Sequence, residues 1–290
     1  MHLGQRRCVR SRRLILLAPS SDSGSHVFRR VDADGDKYES LLTQAQRLRG
    51  RIYLEDGAIG REQLTADGRH VQKPDRTSWH LLSVNENEQV LGCARYRQHE
   101  NRVAFRTLGI YQSALAKCKT WGQAFKTAVE EELATARERD VSYVEMGGWA
   151  LSEELRCTME AVRMVMTTYA LARVLGGALG IGTATTRHNS SSILRRLGWK
   201  PLFVRGVPLP AYYDPNYRCE MEVLRFDSHE PSPQYWNAVE DTCAELPGVS
   251  VISPCETRHK SLFPSLCPPL LPAPIPAAVG GILNSGAVTL

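Results

Sequence analysis

The residues best suited to chemistry lie in one stretch, residues 143–163. An apolar segment there carries a single acid, Glu145, followed closely by the pair Gly147 and Gly148. Glycine inside a strand marks a bulge or a close approach of backbone to ligand, and N–H groups at such a bulge can polarise a carbonyl oxygen. A helix is predicted to begin near Arg156, and its positive end favours a phosphate or pyrophosphate. The stretch therefore suits a phosphopantetheine thioester held beside an acid that accepts a proton.

The same residues admit a purely structural explanation. A Gly-Gly pair in a strand can serve only as a packing adjustment, and Glu145 can pair with a structural arginine. Spacing alone leaves both explanations open. A buried glutamate with a raised pKa would favour the first, because such a group can deprotonate an amine near neutral pH.

The elements that must position these residues follow from hydrophobic periodicity and turn residues. Helices are predicted over residues 38–51, 121–139, 158–175 and 190–197, and strands over residues 79–84, 89–97, 102–108, 143–151, 180–184, 203–207 and 220–226. This order predicts an α/β (α+β) fold with a mixed central sheet flanked by helices.

Composition and charge define the domain organisation. The chain has 290 residues, of which 42% are hydrophobic and 23% charged, as in a soluble globular protein. Its net charge of +5 comes from the two ends, so the central region is not expected to bind nucleic acid. We expect a disordered basic tail over residues 1–27, one folded domain over residues 28–246, and a Pro-rich disordered tail over residues 247–290.

Cysteine and histidine usage argues against metal and disulfide frameworks. The eight Cys are scattered without a C-x-x-C pair, and the eight His show no metal-ligand spacing. We therefore expect no metal and a reducing, cytoplasmic compartment. The longest uncharged run is interrupted by prolines, so no transmembrane segment is expected.

Four motifs taken together resemble one family. Gly92-Cys-Ala-Arg95 is similar to a strand that carries an Arg after a Gly-Cys pair, and Glu145-Met-Gly-Gly-Trp-Ala-Leu151 is similar to a Glu-x-Ser-Arg-Phe-Ala-Val strand. Arg49 and Tyr53 lie four residues apart, as do an Arg and a Phe on an N-terminal substrate helix of that family. The segment 189–199, with Asn189 and a Gly-aromatic end, resembles a late helix flanking an acyl carrier.

The family is the GNAT acyltransferase superfamily, in particular its branch of acyl-homoserine lactone (autoinducer) synthases and N-acyl amino acid synthases. The resemblance implies that Glu145 is the base or a ligand of the substrate amine. With it we expect Gly147 and Gly148 to supply oxyanion-stabilising N–H groups. The remaining candidate residues bind the thioester carrier (Arg156, Cys157, Thr158, Met159 and Asn189) or the acceptor (Arg49, Tyr53, Arg95 and Trp149).

Three departures from the family pattern narrow this expectation. Gly148 replaces the Arg of the lactone synthases, which argues against a homoserine-lactone product. The pyrophosphate loop Arg156-Cys-Thr-Met-Glu-Ala161 lacks both early glycines, which leaves room for an acyl carrier protein as donor. The tyrosine that ordinary acetyltransferases use as general acid aligns with Leu194.

The sequence therefore predicts an N-acyltransferase that moves a long-chain acyl group from a thioester of acyl carrier protein or CoA to a small amine, such as an amino acid. No tightly bound cofactor is expected. An acidic acyl carrier protein could dock on a basic surface formed by Arg156, Arg163, Arg195, Arg196 and Lys200. Two alternatives stay open: a lactone synthase that uses S-adenosylmethionine, and a non-catalytic module that binds acyl groups or acyl carriers.

Overall fold

The computed structural model describes residues 12–21 and 25–254. In chain order the elements are β1 (Arg13–Leu17), β2 (Arg30–Ala33), α1 (Gly35–Glu55), β3 (Trp79–Val84), β4 (Val90–His99), α2 (Gly122–Glu138), β5 (Ser142–Leu151), α3 (Glu160–Val174), β6 (Ala178–Thr185), α4 (Ser190–Arg196), β7 (Lys200–Pro201), β8 (Phe203–Val204), β9 (Val207–Pro208), β10 (Tyr212–Asp214), β11 (Cys219–Asp227), α5 (Trp236–Glu245) and β12 (Ser250–Ser253).

Ten strands form one mixed sheet in the order β10-β11-β6-β5-β4-β3-β1-β12-β2, with β7 also paired to β11. The pairs β5–β6, β1–β12 and β12–β2 are parallel, and the other neighbouring pairs are antiparallel. Strands β8 and β9 form a separate hairpin. Helices cover both faces, which confirms the predicted fold class.

Side-chain alternation along the strands assigns each helix to a face. On β5, Tyr143 packs with α2, and further along the same face Ala150 packs with α1. Val144 and Met146 point to the opposite face and pack with α3 and α5. Helices α1 and α2 therefore share one face of the sheet, and the middle of β5 lies beneath both.

Helix α1 positions the first group of candidate residues. The Asp34 side chain caps it by accepting a hydrogen bond from the Lys37 N–H at 2.9 Å. Its apolar stripe, which includes Leu41 and Leu48, packs on β1, β3 and β4. Arg49 lies on the same buried side with only 1% of its surface exposed, so a charge is held inside the core.

Two predictions of disordered tails are wrong in their extent. The N-terminal tail is not disordered over Arg13–Leu17, because this segment forms β1 between β3 and β12, with Leu16 and Leu17 fully buried. The C-terminal tail begins later than residue 247, because Ser250–Ser253 forms β12 beside β1. Within the two expected tails, residues 1–11, 22–24 and 255–290 lie outside the described residues.

Two local predictions are also wrong. The expected strand over residues 102–108 is a turn of 3₁₀-helix, Phe105–Thr107, followed by another, Gly109–Gln112. The expected strand over residues 203–207 is the hairpin of β8 and β9, because Arg205 and Gly206 both adopt positive φ and reverse the chain. Within the described residues, no helix combines the length and the apolar character needed to cross a bilayer.

Candidate active site

A gap between β5 and β6 forms the centre of the candidate site. The two strands pair in parallel from Ser142↔Ala178 to Met146↔Gly182, and beyond this point β5 continues to Leu151 and β6 to Thr185. We call the space between residues 147–151 and 183–185 the wedge. Its cause lies in β5, where the pairing with β4 shifts between Cys93 and Arg95 and Gly148 has φ +63°, a bulge that favours glycine.

A small cavity of about 60 Å³ lies at the apex of the wedge. Its walls come from both strands and from the helices on the α3 face, and include Met146, Trp149, Met164, Thr168, Leu194 and Trp199. The lining is mostly apolar, and Gly147 and Arg95 complete it from the other face of the sheet. The cavity therefore lies at the bulge, where β4, β5 and β6 all contribute to its walls.

Side chains from the α1 face hold the peptide groups of the bulge. The Cys93 thiol donates to the Gly148 carbonyl at 3.4 Å, and the Tyr53 hydroxyl donates to the Trp149 carbonyl at 3.3 Å. The described peptides are all trans, so the N–H of Trp149 points opposite to the Gly148 carbonyl. Because that carbonyl is directed at the Cys93 thiol on the α1 face, the Trp149 N–H is directed away from that thiol.

Beside the bulge lies a buried charge cluster centred on Asp75. One oxygen of its carboxylate accepts from Arg49 Nη2 at 2.7 Å, and the other accepts from Arg95 Nη1 at 3.0 Å. The Gln46 amide and the Gln72 backbone N–H each donate to it at 3.0 Å. Burial would raise the pKa of Asp75, but the two guanidinium groups outweigh burial and lower it, so the carboxylate is ionised at neutral pH.

Two histidines pack around this cluster in neutral form. Burial and, to a smaller extent, the charge of Arg49 together lower the pKa of His70 to about 4. Burial likewise lowers the pKa of His80 to about 4, and its Nε2 lies 2.7 Å from the Asp75 carbonyl. With both imidazoles neutral, two arginines face one carboxylate, and the cluster carries a net charge of about +1.

Glycine at positions 147 and 148 brings these arginines to the strand. A Cβ at Gly148 would lie 3.1 Å from Arg49 Nη1 and 3.3 Å from Arg95 Cβ, so a larger side chain would displace the guanidinium. A Cβ at Gly147 would meet only Arg95 Nη2, at 3.8 Å. The space beside Gly147 is therefore open, and the guanidinium of Arg95 faces it.

Glu145 does not line the wedge cavity. Its carboxylate lies on the α1 and α2 face, where it accepts from the Gly109 and Ile110 N–H groups at 2.9 and 2.8 Å and lies 2.9 Å from His99 Nε2. Burial would raise its pKa, but the hydrogen bonds from His99 and from the two N–H groups outweigh burial and lower it. The expectation of a raised pKa is therefore wrong, because the partners of this carboxylate favour its ionised form.

The expected phosphate loop lies at the start of α3, on the exposed surface. Arg156 pairs with Asp56 at 3.5 Å, Cys157 adopts φ +58°, and Met159 is 66% exposed. The Thr158 hydroxyl accepts from the N–H of Glu160 at 3.2 Å and so occupies one of the first donors of the helix. The left-handed residue shows that the chain makes the sharp turn without the expected glycines.

The other residues expected to contact a carrier are more dispersed. Asn189 precedes the seven-residue α4 in a left-handed conformation (φ +60°) and makes no capping hydrogen bond with its side chain. Four of the five basic residues expected to dock an acyl carrier protein have an acidic neighbour. These ion pairs are Arg156–Asp56, Arg163–Glu160, Arg195–Glu222 and Lys200–Glu230.

The structure thus brings together Arg49, Tyr53, Arg95, the glycine pair and Trp149, and it places Glu145 in a neighbouring pocket of its own. The sequence reasoning missed Asp75, His70, Gln72 and His80. A signal for Asp75 existed in the predicted helix over residues 38–51, since an arginine on its apolar side requires a buried acid as partner.

Comparisons with known proteins agree with this fold. No protein-family model matches the sequence, and no curated protein matches it. The structure is similar to that of a CoA-dependent acyl-homoserine lactone synthase, BjaI, solved with SAM and isopentyl-CoA. The TM-score is 0.50 at 16% identity, and the match covers 83% of this chain and 92% of the other. At 16% identity this likeness shows the fold alone, and this fold is the one that the sequence resemblance implies.

Two further solved structures are similar at lower scores. FeeM, an N-acyl amino acid synthase from uncultured soil microbes, matches with a TM-score of 0.42 at 11% identity, covering 77% of this chain and 93% of that one. An agmatine N-acetyltransferase matches with a TM-score of 0.39 at 13% identity, covering 74% of this chain and 99% of that one.

Proposed function

We propose that the protein is an N-acyltransferase that joins an acyl group from a pantetheine thioester to the amine of an amino acid. The observation that carries the proposal is the wedge. It holds an apolar cavity at a strand bulge, and a buried cluster with a net positive charge borders it. Pantetheine is the portion that CoA and acyl carrier protein share, so either donor presents the same group to the wedge.

The wedge accounts for the donor half of the reaction. The edges of β5 and β6 diverge there, and an extended pantetheine arm can lie between them as a peptide does between strands. The N–H of Trp149 then donates to the thioester oxygen, which becomes an oxyanion as the amine attacks. Hydrogen bonds to ionised oxygen are about twice as strong as those to neutral oxygen. This contact therefore stabilises the transition state more than it stabilises the bound donor.

The positive charge of the cluster accounts for the acceptor half. Arg95 Nη1 donates a hydrogen bond to Asp75, whereas Arg95 Nη2 faces the open space beside Gly147. A carboxylate bound there would balance the charge of the cluster and leave the α-amine close to the bulge. An amine that has no carboxylate would leave the positive charge of the cluster unbalanced, so the site favours acceptors that carry a carboxylate.

The chemical step then runs as a direct transfer. The nitrogen lone pair attacks the thioester carbon, the C=O electron pair moves to oxygen, and collapse of the tetrahedral intermediate breaks the C–S bond. The proton lost by the amine is recovered by the thiolate through solvent, which yields an amide and a free thiol. Holding the reactants together contributes the most.

In this scheme Glu145 acts as a positioning residue. Its ionised carboxylate fastens the turn at Gly109 and Ile110 to β5 beside the site. Glu145→Gln should lower kcat by less than about tenfold and leave the shape of the pH profile unchanged, because kcat/KM follows the amine's own ionisation. A loss above about 100-fold together with a lost acidic limb would show instead that Glu145 is the base.

The proposal is tested with purified protein, an acyl-CoA or acyl-pantetheine donor and single amino acids, by measuring thiol release and the acylated product. The matched acceptors are an amino acid and its carboxamide. Arg95→Gln should lower kcat/KM about 10- to 150-fold for the amino acid, since hydrogen bonds between charged groups contribute about 1.5–3 kcal/mol. The carboxamide should change little.

Two results would replace the proposal. Release of methylthioadenosine from S-adenosylmethionine, with a lactone as product, would show a lactone synthase. Binding of an acyl thioester without thiol release for any amino acid would show a non-catalytic acyl-binding module.

A further inference from the structure

Trp199 closes the inner end of the wedge cavity. It follows Gly198, whose backbone packs so closely that a Cβ there would lie 2.5 Å from the Ser232 nitrogen. The indole lies against Gly182, the last residue of β6 that pairs with β5: a Cβ on Gly182 would be 2.8 Å from Trp199 Cζ3. The ring of Phe226 packs on it at 5.2 Å. Trp199 is therefore held from three sides at the apex of the wedge.

The cavity that Trp199 closes is too small for a long acyl chain. A cavity of about 150 Å³ holds benzene, which has six carbon atoms. At the same ratio, the wedge cavity of about 60 Å³ holds about two or three carbons. A chain of eight or more carbons would need several times this volume.

The side chains that line the cavity differ in how far they can move. Met146 and Met164 are unbranched and can change rotamer to enlarge the space by a small amount. Trp199 is 4% exposed and fixed between β6 and β11, so it cannot yield without disturbing the sheet. The rigid indole therefore sets the limit, and the methionines adjust the fit.

A much larger space lies on the other side of this residue. An open groove of about 710 Å³ is lined by residues that include Lys200, Pro231, Pro233 and Trp236. Trp199 is the residue that lines both the groove and the wedge cavity. A longer chain could reach the groove only past the indole.

We propose that Trp199 determines the acyl specificity of this protein and restricts the donor to short acyl groups of about two to four carbons. This rests on the proposed function, in which the wedge receives the thioester. It replaces the sequence-based expectation of a long-chain acyl group, because that expectation came from the family resemblance and the cavity is set by the packing of one side chain.

The test uses S-alkyl pantetheine thioethers with two, four, six, eight and ten carbons, titrated calorimetrically into the full-length protein. These probes carry the group that both donors share, and they bind without needing an acceptor. Each buried methylene should improve affinity about fourfold. For the wild type the gain should stop at about four carbons, because longer chains remain in solvent or are excluded.

Trp199→Leu supplies the second arm, since it keeps an apolar side chain and removes the indole. Its affinities should continue to rise by at least about two more carbons than in the wild type. Trp236→Ala is the matched control, because Trp236 lines the groove but not the wedge cavity and is 43% exposed. This control should keep the wild-type limit.

The outcomes separate the two proposals. If wild-type affinity rises steadily through ten carbons, or if Trp199→Leu folds and keeps the wild-type limit, Trp199 does not set specificity, although the wedge still binds acyl donors. If no thioether binds at any length, the proposed function itself fails. Should Trp199→Leu not fold, the wild-type series alone decides whether the limit exists.

Discussion

Replacing Asp75 with Asn should destabilise the protein strongly, because its buried carboxylate pairs with both Arg49 and Arg95. It is 2% exposed, and Arg49, its partner at 2.7 Å, is 1% exposed. The Asn amide group cannot accept the hydrogen bonds that one carboxylate oxygen receives, and its neutral side chain leaves Arg49 without a counter-charge.

The magnitude follows from this burial. Removing one partner of a buried ion pair costs about 3–5 kcal/mol, most of it from the charge left uncompensated. With a denaturant slope of about 2 kcal/mol/M in urea, the unfolding midpoint should fall by about 1.5–2.5 M. Urea titration followed by circular dichroism measures this shift directly.

The control is Asp67→Asn. Asp67 also contacts two arginines, Arg47 and Arg69, both at 2.9 Å, but its side chain is 41% exposed. Water screens and replaces these contacts, so its midpoint should change little. If Asp75→Asn moved the midpoint no further than Asp67→Asn, the cluster would not depend on a buried counter-charge, and the argument for a carboxylate-bearing acceptor would lose its electrostatic basis.

Two further predictions concern the bulge and the response to acid. Gly148→Ala should destabilise the protein by about 1–2 kcal/mol, because alanine is strained at φ +63°. It should also lower activity, because the new Cβ would press on Arg49. The control Gly57→Ala, at φ +67° with open space around it, should show the same strain without the loss of activity. The free energy of unfolding should fall as the pH drops from about 6.5 to about 4. In this range His70 and His80 become protonated in the unfolded chain but stay neutral in the folded protein. The slope should approach about 1.4 kcal/mol per pH unit for each histidine; a midpoint of urea unfolding that stays constant over this range would contradict neutral, buried imidazoles.

Elements with a strong local pattern could be predicted from the sequence. The strand Trp79–Val84 was predicted with its observed bounds, and the helices α1 to α4 with shifts at their ends. Strand β1 was missed because its short apolar run follows several arginines. Its burial depends on pairing with β12, from the opposite end of the domain, and no local pattern encodes such a partner.

The candidate site divides in the same way. The glycine pair on an apolar strand and the arginine on the buried side of a helix could be identified from residue types and from the family resemblance. The Asp75 carboxylate was not predicted, because it lies in a short polar segment, Lys73–Thr77, whose role depends on reaching Arg49 across the fold.

The amino-acid sequence by itself determined the fold class and the strand on which the site is built, because periodicity and glycine placement are local properties of the chain. Only the tertiary structure decided which charges meet, that Glu145 is held by two N–H groups, and how much space Trp199 leaves. Those outcomes depend on register and packing between segments far apart in the chain, where a shift of a single residue would turn each side chain to the other face.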